Sequence, residues 1–307
     1  MWKKPWGLTE GVVIGCSLIL LGMLLQLTLG AIPWEQMASP LNAIVLLLLL
    51  LAIIVMHLSR GRVYLFRWMS TLQAGISALV FAALMTLVLG LTRQVPDGHP
   101  ARDSFGITDM LSCWPFVLTY LWLMLLVGMV CMTRLGKLSL RNSLFLLNHL
   151  GLFLALVAGT LGNADMQRLR MTVRQGMAEW RAVDGRQHVH PLPLAIELHQ
   201  FMLEEYPEAE LSNDGKAVRT PRSFASDVTI HTKQGRVVRD TVKVNKPLSV
   251  EGWKIYQYGY DQMRGKDSEI STFELVRDPW LPYVYLGIFM MLAGAVSLLL
   301  TAKDKRE

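Results

Sequence analysis

Residues 144–162 read LFLLNHLGLFLALVAGTLG, an apolar block that carries one asparagine and one histidine. Its length is close to the roughly 20 residues that cross ~30 Å of hydrocarbon at 1.5 Å per residue, so it reads as a membrane-spanning helix. Beyond Asn163 the pattern changes to short alternating segments, and this change of period decides the fold. A helical membrane part gives way there to a separate domain built of strands.

Working outward, similar apolar blocks occupy 11–31, 41–58, 72–91 and 115–132 before this stretch and 281–301 after it. The first follows Lys3 and Lys4 and is read as a retained span, because no convincing small-residue cleavage site follows it. Between the fifth and sixth blocks, the runs 192–201, 223–232, 237–244, 253–260 and 271–276 alternate apolar with polar residues. Asp214-Gly215, Gln234-Gly235 and Glu251-Gly252 punctuate them as turns, which is the pattern of antiparallel hairpins. The acidic stretch EEYPEAE (204–210) and the run from Lys216 to Arg222 read as loops. The expected fold is therefore a membrane protein, an α-helical bundle of six transmembrane helices with one β-rich periplasmic domain, a small sandwich or open barrel, inserted before the last helix. The expected divisions are 1–162, 163–280 and 281–307.

Of the 307 residues, 52% are hydrophobic and 18% charged, with 30 Lys+Arg against 24 Asp+Glu, a net charge of +6. The segment 163–280 carries 17 basic and 17 acidic residues, so the whole excess falls among the apolar blocks. A nucleic-acid module would concentrate positive charge on its soluble part, so nucleic acid is excluded as a partner. In the short connections, Lys3, Lys4, Arg60, Arg62, Arg67, Arg134, Lys137, Arg141, Lys303, Lys305 and Arg306 fall on one side of the membrane; Arg93 and Arg102 fall on the other. Positive loops resist translocation, which predicts cytoplasmic termini and places 163–280 outside, in a periplasm-like compartment. The three cysteines, Cys16, Cys113 and Cys131, form no Cys-x-x-Cys pair, so a thiol relay within this chain is not expected.

An ionisable side chain inside a span is costly and marks a candidate site. Two histidines qualify, His149 and His57. His149 lies about 12 Å along its helix from Arg141 and about 21 Å from Asn163, too deep to reach the interface easily. Phe153, Leu156 and Thr160 share its face, while Gly151, Ala155, Ala158 and Gly162 form a small-residue stripe on the opposite one. An imidazole flanked by large apolar groups suits axial ligation of a flat macrocycle, and it suits equally a hydrogen bond that glues two helices. His57 is the further candidate, although its place three residues before Arg60 also fits an anchoring residue. His188 and His190 could share a strand face, but no third ligand accompanies them at a recognisable spacing, so no metal site is expected there.

The stretch 148–176, followed by LPLAIELHQFMLEEYP, VKVNKPLSVEGWKIYQYGYD and FELVRDP, resembles the ResB family, also called CcsB, of System II cytochrome c biogenesis. The motifs that carry the resemblance are His149 to Gly151, Asn245, Pro247, Leu248, Gly252, Tyr256, Gln257 and Arg277 to Pro279. It covers about the C-terminal half of the chain. The resemblance implies a subunit of a cytochrome c haem lyase that binds haem b and, with a CcsA-type membrane partner, moves it across the membrane for attachment to apocytochrome c. A thiol-reducing protein is a further partner on this reading. It also implies that His149 is a haem axial ligand, and it names no catalytic residue. Physically, the block from Asn245 through Pro247, Gly252 and Tyr256 to Gln257 suits architecture: Pro247 ends a strand, Gly252 allows a positive φ and Tyr256 packs in a core or interface. Asp278 and Pro279 would close the domain and restart the chain as a helix. Family members usually have about three spans before a much larger outer domain, whereas five precede a compact one here. No Trp-rich haem segment is present, so the groups holding haem outside would come from the partner. The alternative role is a non-catalytic scaffold that stabilises CcsA and recruits apocytochrome c.

Overall fold

The computed structural model describes residues 2–96, 98–136, 139–211 and 217–303. The turn expected at Asp214-Gly215, together with Lys137, Lys216, Lys305 and Arg306, lies outside these. The chain divides into a helical unit (1–95, 100–165 and 279–307) and a sheet unit (96–99 and 166–278).

The helical unit contains α1 (Leu8–Leu29), α2 (Leu41–Ser59), the short α3 (Tyr64–Trp68), α4 (Leu72–Leu91), α5 (Trp114–Arg134), α6 (Leu140–Gly162) and α7 (Leu281–Lys303). All but α3 are long and apolar enough to cross a bilayer, giving six spans. Large apolar side chains such as Leu20, Leu47 and Phe289 are about two-thirds exposed. In water such a surface would drive aggregation, whereas lipid tails are its natural solvent. The chain is a multi-pass membrane protein.

The centre of the bundle is α5, which packs against α1, α2, α4 and α6 and buries Trp122, Leu126 and Met129. Against α6 lies α7, and their seam is built from glycines. A Cβ on Gly151 would stand 2.5 Å from the Met291 nitrogen, and one on Gly287 2.6 Å from that of Ala155. With no side chain between them the two backbones touch, and the Asn148 amide donates to the Met291 carbonyl at 2.7 Å across the seam. At the far end of α6, the Asp165 carboxylate accepts from the Ser39 N–H (2.7 Å), the Asn42 amide (2.7 Å) and the Trp280 indole (2.6 Å). One side chain thereby ties the ends of α2, α6 and α7 together.

The sheet unit comprises β1 (Gln167–Arg174), β2 (Ala178–Val183), β3 (Val189–Leu211), β4 (Ala217–Thr232), β5 (Val237–Lys243), β6 (Leu248–Val250), β7 (Trp253–Tyr260) and β8 (Ile270–Arg277). They form one antiparallel sheet in the order β5-β4-β3-β2-β1-β8-β7-β6. In β1 and β8 alternate residues are buried, so Leu169 faces Leu275 and Met171 faces Phe273 on the inner face. Opposite them Ile196 pairs with Ile230, and Val242, Ile255 and Trp253 complete the core. The buried Ser226 and Ser271 hydroxyls meet at 2.7 Å although β4 and β8 are four places apart in the sheet, so the sheet rolls over its own core.

One expectation is corrected. Residues 204–210 are strand rather than loop, and so are 217–222, because β3 and β4 run on as a two-stranded ladder as far as Leu211 opposite Ala217. Over this distal part β2 has ended and β5 has not begun, since β2 pairs up to Glu197 and β5 from Ala225. Two strands with no third neighbour have no buried face to enforce alternation, so their composition looks like that of a loop.

Candidate functional site

The helix α6 starts at the Ser139 N-cap, whose hydroxyl accepts the Asn142 N–H at 3.3 Å. Phe145 and His149 follow one turn apart on one face, and Phe153 continues it. Phe153 and Leu156 pack with Leu49 and Ile53 of α2 and with residues of α5, which closes this face below His149. His149 itself is half-buried where that packing opens.

The His149 Nδ1 lies 3.0 Å from the Phe145 carbonyl. A carbonyl can only accept, so Nδ1 carries the hydrogen and, in the neutral ring, Nε2 holds the lone pair. Among the described residues Nε2 has no partner. The imidazole stacks on the Phe145 ring at 3.9 Å with an angle of 22° between planes. The guanidinium of Arg134, the last residue of α5, lies over that same ring at 4.9 Å, and the Asn142 amide donates to the Arg134 carbonyl at 2.9 Å. The Phe145 ring thus contacts both the His149 imidazole and the Arg134 guanidinium. His149 makes no hydrogen bond to another helix among the described residues; the bond between α6 and α7 belongs to its neighbour Asn148.

His57 is differently placed. In the last turn of α2, its Nδ1 faces the Arg60 guanidinium at 3.3 Å, and since a guanidinium only donates, Nδ1 is the acceptor there. In the neutral ring its hydrogen then sits on Nε2. No hydrogen bond or ring contact joins His57 to His149 among the described residues. Sequence reasoning missed Phe145 and Arg134: a phenylalanine in an apolar span and a cation at a helix end carry no signal until α5 and α6 are docked.

The remaining motif residues lie in the sheet unit and at its exit. Asn245 takes a φ of 62° in the turn between β5 and β6, where the Lys246 N–H donates to the Lys243 carbonyl at 3.1 Å. Pro247 follows as the chain enters β6. Glu251 (φ 48°) and Gly252 (φ 82°) form a two-residue hairpin turn that sets Val250 opposite Trp253, with both φ values positive as the twist of a tight hairpin requires. Tyr256 is half-buried; Gln257 is buried and donates to the Gly259 carbonyl at 3.1 Å. Asp278 is half-buried and Pro279 exposed just before α7.

Where β2 turns into β3, His190 at the start of β3 (2.9 Å) and His188 in the turn (3.3 Å) share the Asp184 carboxylate, an exposed group that the pattern of histidines alone did not reveal. No cluster among the described residues has the geometry of a metal site. Partial burial pushes the Asp184 carboxyl up, but the His190 bond and the His188 and Arg186 N–H groups outweigh it and hold the group down at about 2. The Arg181 guanidinium, at 2.8 Å, brings Glu179 down to about 2 as well.

Residues 136–271 match the ResB-like family, a range that includes α6 with His149 and strands β1 to β7 but only the first two residues of β8. This region of the chain is ResB-like. Asp278 and Pro279 lie just past the end of the match. Within the chain, 105 residues are 29% identical to Protein NrfI of Wolinella succinogenes, which is 34% of this chain and 10% of that protein. The chain thus spans a small part of this relative's length. Among solved structures, the cytochrome c haem lyase CcmF aligns over 96% of this chain and 46% of its own at 13% identity. Its TM-score of 0.39 is too low to bear on fold or function.

Proposed function

We propose that this chain is a haem-handling subunit of a membrane cytochrome c synthetase, in which His149 takes one axial position on haem iron. The observation that carries the reading is the state of His149. Its Nδ1 is pinned to a carbonyl, as in most iron- and zinc-ligating histidines, which leaves the Nε2 lone pair available in a half-buried apolar setting. The residues present fit a flat apolar ligand from one side, with Phe145 as a wall. The second axial group comes from a CcsA-type partner on this reading. His57 fits less well, because its Nδ1 is engaged by Arg60.

Haem b is cargo here. The chain sits in the bacterial inner membrane with both termini cytoplasmic and the ResB-like sheet outside, where it presents apocytochrome c or braces the partner. A thiol-reducing protein would keep the apocytochrome cysteines ready. The attachment chemistry occurs in a site shared with the partner, and this chain's share is to bind the iron and to orient the macrocycle.

The scaffold alternative treats His149 as helix glue, and its hydrogen bond within its own helix counts against that. The test is to purify the complex with its CcsA-type partner from wild type and His149→Ala and to record complex yield, haem content and the haem absorption spectrum. We expect yield to hold while haem content falls at least severalfold and the imidazole-ligated spectrum disappears. Unchanged haem with unchanged ligation would sink the ligand assignment. Loss of the complex itself, with haem per complex constant, would select the scaffold.

A further inference from the structure

We propose that Arg134 is the carboxylate anchor of the His149 site, so that the site selects a metal macrocycle bearing free carboxylates at its edge. The inference rests on the His149 reading above and names what else that site recognises.

The argument starts from how Arg134 is held. Its guanidinium lies over the Phe145 ring at 4.9 Å, a cation–π contact. A guanidinium carries five N–H donors in a planar fork, and a ring contact takes up no acceptor lone pair, so donors remain for a carboxylate. Among the described residues no Asp or Glu pairs with Arg134, and its side chain is exposed. Arg181, over Trp180, is by contrast already bonded twice to Glu179, while Arg67 over Tyr64 and Arg170 over Tyr258 share the open donors but lie on rings that stack on no histidine.

The position of Arg134 relative to His149 supplies the second half. Phe145 stacks on His149 at 3.9 Å, and the same ring carries Arg134, so the imidazole and the guanidinium both lie against one phenyl ring. Nε2 can donate electrons to a metal, the guanidinium can take an anion, and Phe145 offers apolar surface beside both. A planar apolar ring system with a metal at its centre and carboxylates on its rim has the matching groups. Arg134 ends α5 while His149 lies a few turns inside α6, so the metal would sit deeper than the carboxylates. That order suits a ligand whose ring partitions into hydrocarbon and whose charges do not, since a carboxylate drawn toward lipid is stabilised only when paired.

The test uses the full chain in lipid nanodiscs, titrated with iron(III) protoporphyrin IX and separately with its dimethyl ester, which keeps ring and metal and removes both charges. Wild type should bind the diacid about tenfold more tightly than the ester, the worth of one charge-assisted hydrogen bond. Arg134→Gln should bring the diacid down to the ester's affinity, leave the ester unchanged and keep the imidazole-ligated spectrum, while Arg134→Lys should retain part of the preference. Equal affinities in wild type, or an undiminished preference in Arg134→Gln, overturns the proposal even if the glutamine variant is less stable, because wild type alone tests the first point. His149→Ala separates the two readings. A His149-dependent spectrum without acid preference removes Arg134 alone, whereas no His149-dependent spectrum with either porphyrin removes the ligand reading and this inference with it.

Discussion

The two intramembrane histidines differ in which nitrogen is free, and this is decided by one neighbour each. Phe145 offers His149 an acceptor, so its outer nitrogen keeps a lone pair; Arg60 offers His57 a donor, so its inner nitrogen is occupied. Residue-scale chemistry is equally plain in the sheet. Glu179 is held low by Arg181, and Asp184, despite partial burial, by its bonds from His190 and the backbone. A carboxylate whose folded value is depressed contributes stability that is present above its ordinary value near 4 and is lost as pH falls through its folded value. Thermal melts of the full chain in detergent should therefore fall between about pH 4.5 and pH 2. Glu179→Gln should melt lower than wild type at pH 6 and converge with it near pH 2; a constant gap across that range would reject the assignment. Gly252, at φ 82°, should tolerate alanine only at a cost of about 1 to 2 kcal/mol, read as a lower melting midpoint, because a Cβ is strained in left-handed backbone.

Elements here are defined by their contacts as much as by their composition. The small-residue stripe of α6 is visible in its sequence, and it forms the seam with α7 that leaves Gly151 no room for a side chain. Gly151→Leu should lower the thermal midpoint of the detergent-solubilised chain by several degrees, since overpacking costs about 1 to 3 kcal/mol. Gly159→Leu on the same helix, where nothing lies within 4 Å, should leave it unchanged. Equal lowering at both positions would reject the seam as the cause, because leucine is the better helix former at each. The distal β3–β4 ladder illustrates the opposite case: its strands exist by pairing with each other, and local sequence does not announce them.

For the whole molecule, the central question is which way the spans run. The cation count predicts the sheet outside and both ends inside, and reporter fusions test that prediction. Alkaline phosphatase joined within 166–278 should be active, and the same reporter after residue 303 should be inactive; the reverse pattern would invert the orientation. Much of this architecture is legible without coordinates, because hydrocarbon imposes a length on every span and a rolled sheet imposes alternation on most of its strands. For the same reasons the six spans and the inserted strand-built domain follow from residue order alone. The sequence by itself determined the elements and their solvent, since periodicity and transfer energy act on neighbours along one chain. Only the tertiary structure decided that the Arg134 guanidinium and the His149 ring share the Phe145 ring, that Asp165 gathers three helix ends, and that the sheet rolls until Ser226 meets Ser271. These depend on how docked elements place residues far apart in the chain within bonding distance, and no local pattern encodes that geometry.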